Sequence, residues 1–310
     1  MRVVLLAGGV GGAKLAHGLQ AHLGADLTVI VNTADDFERH GLLVSPDHDT
    51  VMYTLAGIDN REWGWGIANE TFAAAGMLAR YGEETWFRLG DRDLATHIVR
   101  TAAVRGGERL TTVARRLQVG LEVTPAVLPM TDDPVRTQVR TKDGWIEFQD
   151  YFVRQHQEPV VLDVRFQGVA DARSTAEILS ALEEGDRILV APSNPIVSIG
   201  PILAVPGLLD AIQAARRRGA TVTAVSGIVG GRALKGPADR MLASLGHEVS
   251  ALGVARLYRG WVDRFVLDRV DADLEAAVEA LPMGTHVTDT IMTDDAARAR
   301  LAADLLALAN

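Results

Sequence analysis

The chain has 310 residues, enough for one large domain or two modest ones, and its 48% apolar and 23% charged residues exclude a disordered chain. With 31 basic against 40 acidic residues the net charge is −9, which leaves no basic footprint for nucleic acid. Cysteine is absent, which excludes disulfides, thiolate nucleophiles, cysteine-bound zinc and iron–sulfur clusters.

From the N-terminus, Val3 to Ala7 is a short apolar run that ends on glycine, the pattern of a buried parallel strand. It is too short for a signal-peptide core, and no apolar run nears the ~20 residues of a membrane span, so a cytoplasmic protein without membrane contact is expected. Lys14 to His22 reads as a helix with Leu15, Leu19 and Leu23 on one face, and Leu27 to Val31 as a second strand. Asn32 to Asp49 is polar and acidic and reads as a long functional loop. Helical patterns follow at Thr71 to Tyr81, at Asp91 to Val104 (Leu94, Ile98 and Thr101 on one face) and around Leu110 to Leu117.

Val135 to Thr141 and Trp145 to Phe148 alternate around Asp143-Gly144, a hairpin signal. Further on, Arg187 to Ala191, Thr221 to Val225, Phe265 to Leu267 and His286 to Met292 read as strands. Helices are expected near Leu208 to Arg217, at Ala238 to Leu245 and from about Asp295. The rhythm predicts an α/β, Rossmann-like, doubly wound and mainly parallel sheet. One domain spans 1–310, and an inserted helical and hairpin subdomain occupies roughly 60–170.

Several features carry chemistry. Gly8-Gly9-Val10-Gly11-Gly12-Ala13-Lys14 lies at the first strand–helix turn, where backbone N–H groups and the helix N-terminus meet anions. It is not a Walker A loop, and Lys14 stands where a dinucleotide fingerprint needs its third glycine, which argues against an NAD-linked oxidoreductase. Only three lysines occur, Lys14, Lys142 and Lys235, and the first and last adjoin glycine clusters. Asp35, Asp36, Asp47 and Asp49 gather at the end of the second strand, hard oxygen ligands that suit Mg²⁺ or simply cap helices and turns. Eight of 16 aromatic residues fall between Phe37 and Phe87, a wall for a flat ligand or ordinary packing. Ser193, Asn194 and Ser198 follow another strand and offer hydroxyl and amide groups, and Ser226 to Gly231 follows a third. By themselves these residues point to an α/β protein that binds a nucleotide-like, phosphate-rich molecule.

Taken together, the stretches resemble the CofD family, the 2-phospho-L-lactate transferases of coenzyme F420 biosynthesis. The resemblance is carried by LAGGVGGAKLAHGL at 6–19, VNTADD at 31–36, SPDHDTVMYTLAG at 45–57 and WGWGIANET at 63–71. It continues in WFRLGDRDLATHIVRT at 86–101, APSNPIVSIGPIL at 191–203 and IMTD at 291–294. It implies transfer of a phospholactyl group, or in some bacteria a phosphoenolpyruvyl group, from a guanosine diphospho donor to the ribityl hydroxyl of the deazaflavin Fo. GMP leaves, Mg²⁺ is required, and a homodimer is expected. Carried onto this chain, Asp49 and Arg88, with Trp86 of the same motif, would contact the deazaflavin. Asp35, with Asp49, would hold Mg²⁺, and Asp49 would orient the hydroxyl or take its proton. Gly9, Gly11, Gly12, Lys14, Ser193, Asn194 and Ser198 would hold the donor's phosphates. Related proteins that bind UDP-sugars and regulate metabolism without transfer are the alternative.

Overall fold

The computed structural model describes residues 1–308. The chain opens with β1 (Val3–Ala7), α1 (Gly9–Leu23) and β2 (Leu27–Val31). A hairpin of β3 (Phe37–Arg39) and β4 (Leu42–Val44), then α2 (Pro46–Leu55), fill the stretch expected to be a loop. His40 and Gly41 both have positive φ, the two-residue turn geometry that tight hairpins require. His-Gly is not among the usual sequence signals for that turn, so the hairpin was hidden.

Helices α3 (Ala73–Arg80), α4 (Asp93–Arg105) and α5 (Leu110–Gly120) precede β5 (Ala126–Pro129). A small antiparallel sheet of β6 (Arg136–Thr141), β7 (Gly144–Glu147) and β8 (Asp163–Gln167) follows, with β6 in the middle. The chain then enters α6 (Ala176–Glu184) and β9 (Arg187–Val190). Next come α7 (Gly200–Ala204), α8 (Leu208–Arg217), β10 (Thr221–Val225) and the ribbon β11 (Ile228–Val229) and β12 (Arg232–Ala233). The C-terminal part holds α9 (Ala238–Ser244), α10 (Ala251–Leu257), β13 (Arg264–Asp268), α11 (Glu275–Glu279), β14 (Gly284–Thr288) and α12 (Asp295–Ala307). Asp294 of the terminal motif caps α12, accepting from Ala297 N at 2.8 Å.

The central sheet has the order β14-β13-β10-β9-β1-β2-β5, and every pairing in it is parallel. Its inner strands are buried on both faces, which is why β1, β2 and β9 read as apolar runs, while the edge strands β5 and β14 are part-exposed. Val3, Leu5 and Ala7 face one core with α1, α2 and α12, while Val4 and Leu6 face a second core with α6, α8 and α10. The expected doubly wound architecture is therefore present. The stretch 60–170 is not one continuous insertion, because β5 leaves it to form the sheet's edge beside β2. The remainder divides into the α3–α5 helices and the small sheet, whose Val139 packs with Val197 and Met241 in a third core.

One helix departs from its predicted face. In α4 the residues Asp93, Thr96, His97 and Arg100 are buried, while Ile98 is 53% exposed. Of the expected face of Leu94, Ile98 and Thr101, Thr101 is buried and Leu94 half-buried, and Ile98 is the residue turned to solvent. No single helix among the described residues is long and apolar enough to cross a membrane.

Candidate active site at the switch point of the sheet

The chain runs outward from β1 through β2 to β5, then returns to β9 on the other side of β1. Ligands of open α/β sheets bind where strand order reverses, outside the carboxyl ends of the strands. Here that crevice lies between the glycine turn after β1 and the Pro192-Ser193-Asn194 turn after β9. The two turns are fastened together. Ser193 Oγ donates to Gly8 O at 2.7 Å and accepts from Gly8 N at 3.1 Å. A Cβ on Gly11 would lie 2.6 Å from Pro192 O, so only glycine permits this approach.

The sequence-predicted phosphate ligands are brought together, but several have partners inside the protein. Asn194 Oδ1 accepts from Ile196 N at 2.9 Å and Val197 N at 3.3 Å, capping a π-helical turn over 195–199. Ser198 is buried against Gly8. Lys14 donates to Met292 O at 2.9 Å. Gly8 N is taken by Ser193 Oγ and Gly9 N by the Asp47 carboxylate, while α1 begins without a side-chain cap, so the remaining N–H groups of its first turn are the donors suited to an anion.

The carboxylates divide into two groups. Asn32, at the end of β2, donates to Asp47 Oδ2 at 3.0 Å and to Val197 O at 3.2 Å, and its Oδ1 accepts from Ala34 N at 2.9 Å. It thereby ties α2 to the turn after β9. Burial pushes Asp35 well above the usual carboxylate range, and the neighbouring charge of Asp47 adds to this. Burial also raises Asp47 to about 6 and Asp36 to about 7. Asp36 Oδ2 accepts from Ser45 Oγ at 2.6 Å, but Asp36 Oδ1 and Asp35 Oδ1 are buried with no hydrogen-bond partner. Clustered oxygens, mutual repulsion and unused lone pairs are what a hard divalent cation relieves, so Asp35 and Asp47 fit Mg²⁺.

Asp49 belongs to the second group. Burial alone would raise it, but the Arg100 guanidinium at its Oδ1 and the neighbouring His48 and His97 together outweigh that and hold it well below the usual range. His97 Nδ1 stands 3.7 Å from Asp49 Oδ2, and His97 Nε2 stands 3.3 Å from Asp93 Oδ2. Tyr53 OH donates to Asp93 Oδ1 at 2.6 Å. Asp49, Asp93 and His97 bring ligand atoms within 4.8 Å of one another, a spacing compatible with a metal. Arg100 already supplies positive charge there. Of the two acids of α2, Asp47 stands by Asp35, and Asp49 faces α4.

The aromatic concentration also divides. Trp86 stacks with Phe37 at 6.5 Å and lies under Arg39 at 4.9 Å. Arg88 lies instead between Phe72 at 4.1 Å and Trp63 at 5.5 Å. Trp63 and Trp65 are 36% and 40% exposed, leaving one apolar face open to a flat ligand. The Arg88 segment is held by reciprocal caps. Glu70 accepts from Arg92 N at 2.8 Å and Asp93 N at 3.0 Å, before α4. Asp91 accepts from Ala73 N and Ala74 N, both at 2.9 Å, at the start of α3.

Sequence reasoning did not single out Glu70 or Arg100, did not assign a role to Asn32, and left Asp47 open between cation ligand and cap. Asn32 directly follows an apolar strand, which was the available signal. Arg100 was readable only through a polar stripe at i, i+3, i+4 and i+7, the inverse of the usual helix pattern.

Residues 3–301 match the family described as 2-phospho-L-lactate transferase CofD. The chain is 42% identical to the 2-phospho-L-lactate transferase of Methanosarcina acetivorans over 293 residues, covering 94% of each protein. It is 45% identical to the phosphoenolpyruvate transferase of Streptomyces coelicolor over 316 residues, covering all of this chain and 98% of that protein. A crystal structure of a UPF0052 family protein from Bacillus halodurans superposes with a TM-score of 0.63 at 16% identity, covering 98% of each chain, a likeness of fold. A glycine turn at the switch point, the ordered motifs and these full-length matches agree: the chain belongs to the CofD family of transferases.

Proposed function

We propose that the chain transfers a 2-phospholactyl or phosphoenolpyruvyl group from a guanosine diphospho donor to the ribityl hydroxyl of the deazaflavin Fo, releasing GMP. The observation that carries this reading is the 42–45% identity, over nearly the whole length, to transferases bearing those two names. The geometry supports it. A diphosphate requires backbone donors, which the turn at Gly11 and Gly12 offers beside Lys14. A flat tricycle requires aromatic walls, which Trp63 and Phe72 offer on either side of Arg88.

Transfer at phosphorus requires in-line placement and charge neutralisation more than a covalent intermediate, which suits a chain without cysteine. Asp35 and Asp47 would hold Mg²⁺, which supplies neutralisation of the donor's phosphate charge when bound. Asn32 fixes Asp47 in place for that task. Asp49, kept ionised by Arg100, is suited to accept a hydrogen bond and orient a hydroxyl, and poorly suited to take a proton at neutral pH. Arg88 is proposed to stack on or pair with the deazaflavin. The homodimer and cytoplasmic location expected from the family and the sequence belong to the same reading.

The test is the purified chain with Mg²⁺, Fo and each donor, read by product mass and GMP release. One of the two donors should give Fo extended by its three-carbon phosphoester. No product from either donor refutes the proposal. Light scattering tests the dimer.

A further inference from the structure

Two of the three lysines in the chain, far apart in sequence, come within electrostatic reach of each other near the first turn of α1. Lys14 projects from α1. Lys235, in the connection between β12 and α9, donates to Trp63 O at 3.3 Å. A Cβ on Gly64 would collide with Lys235 Nζ and lie 3.6 Å from Val10 Cγ2, which places this ammonium beside the glycine turn. Lys14 is part-buried and senses the positive charges of Arg298 and Lys235. Among the described residues neither lysine has a carboxylate partner, and the acceptors they reach are the carbonyls of Met292 and Trp63. Arg109, by contrast, is paired with both Asp132 and Glu177. Like charges drawn together without an acid are relieved by an anion.

We propose that Lys235 is a ligand of a diphosphate seated on the glycine turn, with Lys14 and Lys235 holding it from two sides. The 232–237 segment would thus supply a second anion-binding element, contributed by the far half of the sheet. Two ammonium groups on separate segments, together with the backbone donors of the turn, match the several charged oxygens of a diphosphate better than one phosphate. The contact with Trp63 O also joins the anion subsite to the segment that carries Trp63 and Trp65. The inference deepens the proposed function and rests on its placing of the donor's phosphates at the glycine turn.

The experiment is calorimetric titration of the full chain with inorganic pyrophosphate and with orthophosphate, in EDTA. Wild type is compared with Lys235→Met, Lys235→Arg and, as a control for net charge, Lys142→Met. Loss of a charged hydrogen bond predicts that Lys235→Met weakens pyrophosphate about tenfold or more. Orthophosphate should change less, Lys235→Arg should retain most of the affinity, and Lys142→Met should match wild type. Unchanged pyrophosphate affinity in Lys235→Met overturns the proposal. So does an equal loss for both anions, or a wild type that binds no pyrophosphate. Because no acceptor or turnover enters the measurement, failure of the transfer reaction and failure of this subsite give separate results.

Discussion

Removing Arg100 tests the buried network between α2 and α4. The Arg100 side chain is 2% exposed and that of Asp49 is 6% exposed. Besides Asp49, the guanidinium reaches His97 Nδ1 at 3.2 Å and Leu43 O at 3.3 Å. Arg100→Met keeps most of the volume but leaves a buried carboxylate without its counter-charge, a change that costs about 3–5 kcal/mol. Loss of the contact to Leu43 adds about 1 kcal/mol. At about 1.5 °C per kcal/mol for a chain of this size, the melting temperature should fall by roughly 6–9 °C. Replacing both members, Asp49→Leu with Arg100→Met, removes the stranded charge and should recover most of the loss. Urea unfolding at neutral pH measures both. The pH dependence gives a second readout. Because Asp49 is held below its unfolded value, its contribution is present above about pH 4 and is lost as pH falls further. Arg100→Met should flatten that acid limb. A single variant within about 1 kcal/mol of wild type, or a double variant less stable than the single, refutes this account of Asp49. The same reasoning says that Asp49→Asn will lower stability as well as turnover, so its turnover must be measured on folded protein.

Gly11→Ala should cost about 1–3 kcal/mol by overpacking against Pro192 O and should weaken pyrophosphate binding beyond that loss, measured by melting and titration together. Glu70→Ala removes the cap before α4 and should cost about 1 kcal/mol while raising the KM for the deazaflavin more than it lowers kcat, since Arg88 lies in the released segment. Asp36 and Asp47, raised to about 7 and about 6, and Asp35, also raised, bind protons more tightly folded than unfolded. Metal-free protein should therefore lose stability as pH rises from about 4 to 7, and Mg²⁺ should restore it with proton release; a metal-free stability that rises across this range contradicts the cluster.

The parallel sheet was legible because its inner strands are buried on both faces, so Val3–Ala7, Leu27–Val31 and Thr221–Val225 appear as apolar runs bounded by turns. The glycine turn was legible because backbone approach has few sequence solutions. The edge strand Ala126–Pro129 was not, since it has four residues and sits between helical and hairpin patterns. The polar face of α4 was hidden for another reason. Periodicity arguments assume that the apolar stripe is the buried one, and here Asp93, His97 and Arg100 are buried because they satisfy Asp49 and Tyr53. Ser193 and Asn194 lie on the turn after β9, but that Ser193 bonds Gly8 depends on a chain segment far away in sequence.

Asp47 and Asp49 show how two adjacent acids can acquire opposite character. They lie two residues apart on α2, so about 200° of rotation separates their directions. One meets Asn32, the Gly8 turn and Asp35, where no buried cation answers it, and its proton affinity rises. The other meets α4, where Arg100 answers it, and its proton affinity falls. Read as a loop, the segment leaves the two interchangeable; read as a helix, it cannot direct both to one ion without unwinding. Divergent environments for neighbouring carboxylates are a means of giving them separate tasks. On that basis the acids of α2 divide between Asp47, with raised proton affinity near the glycine turn, and Asp49, held ionised against α4. The helical phase of α2 is the feature that enforces the division.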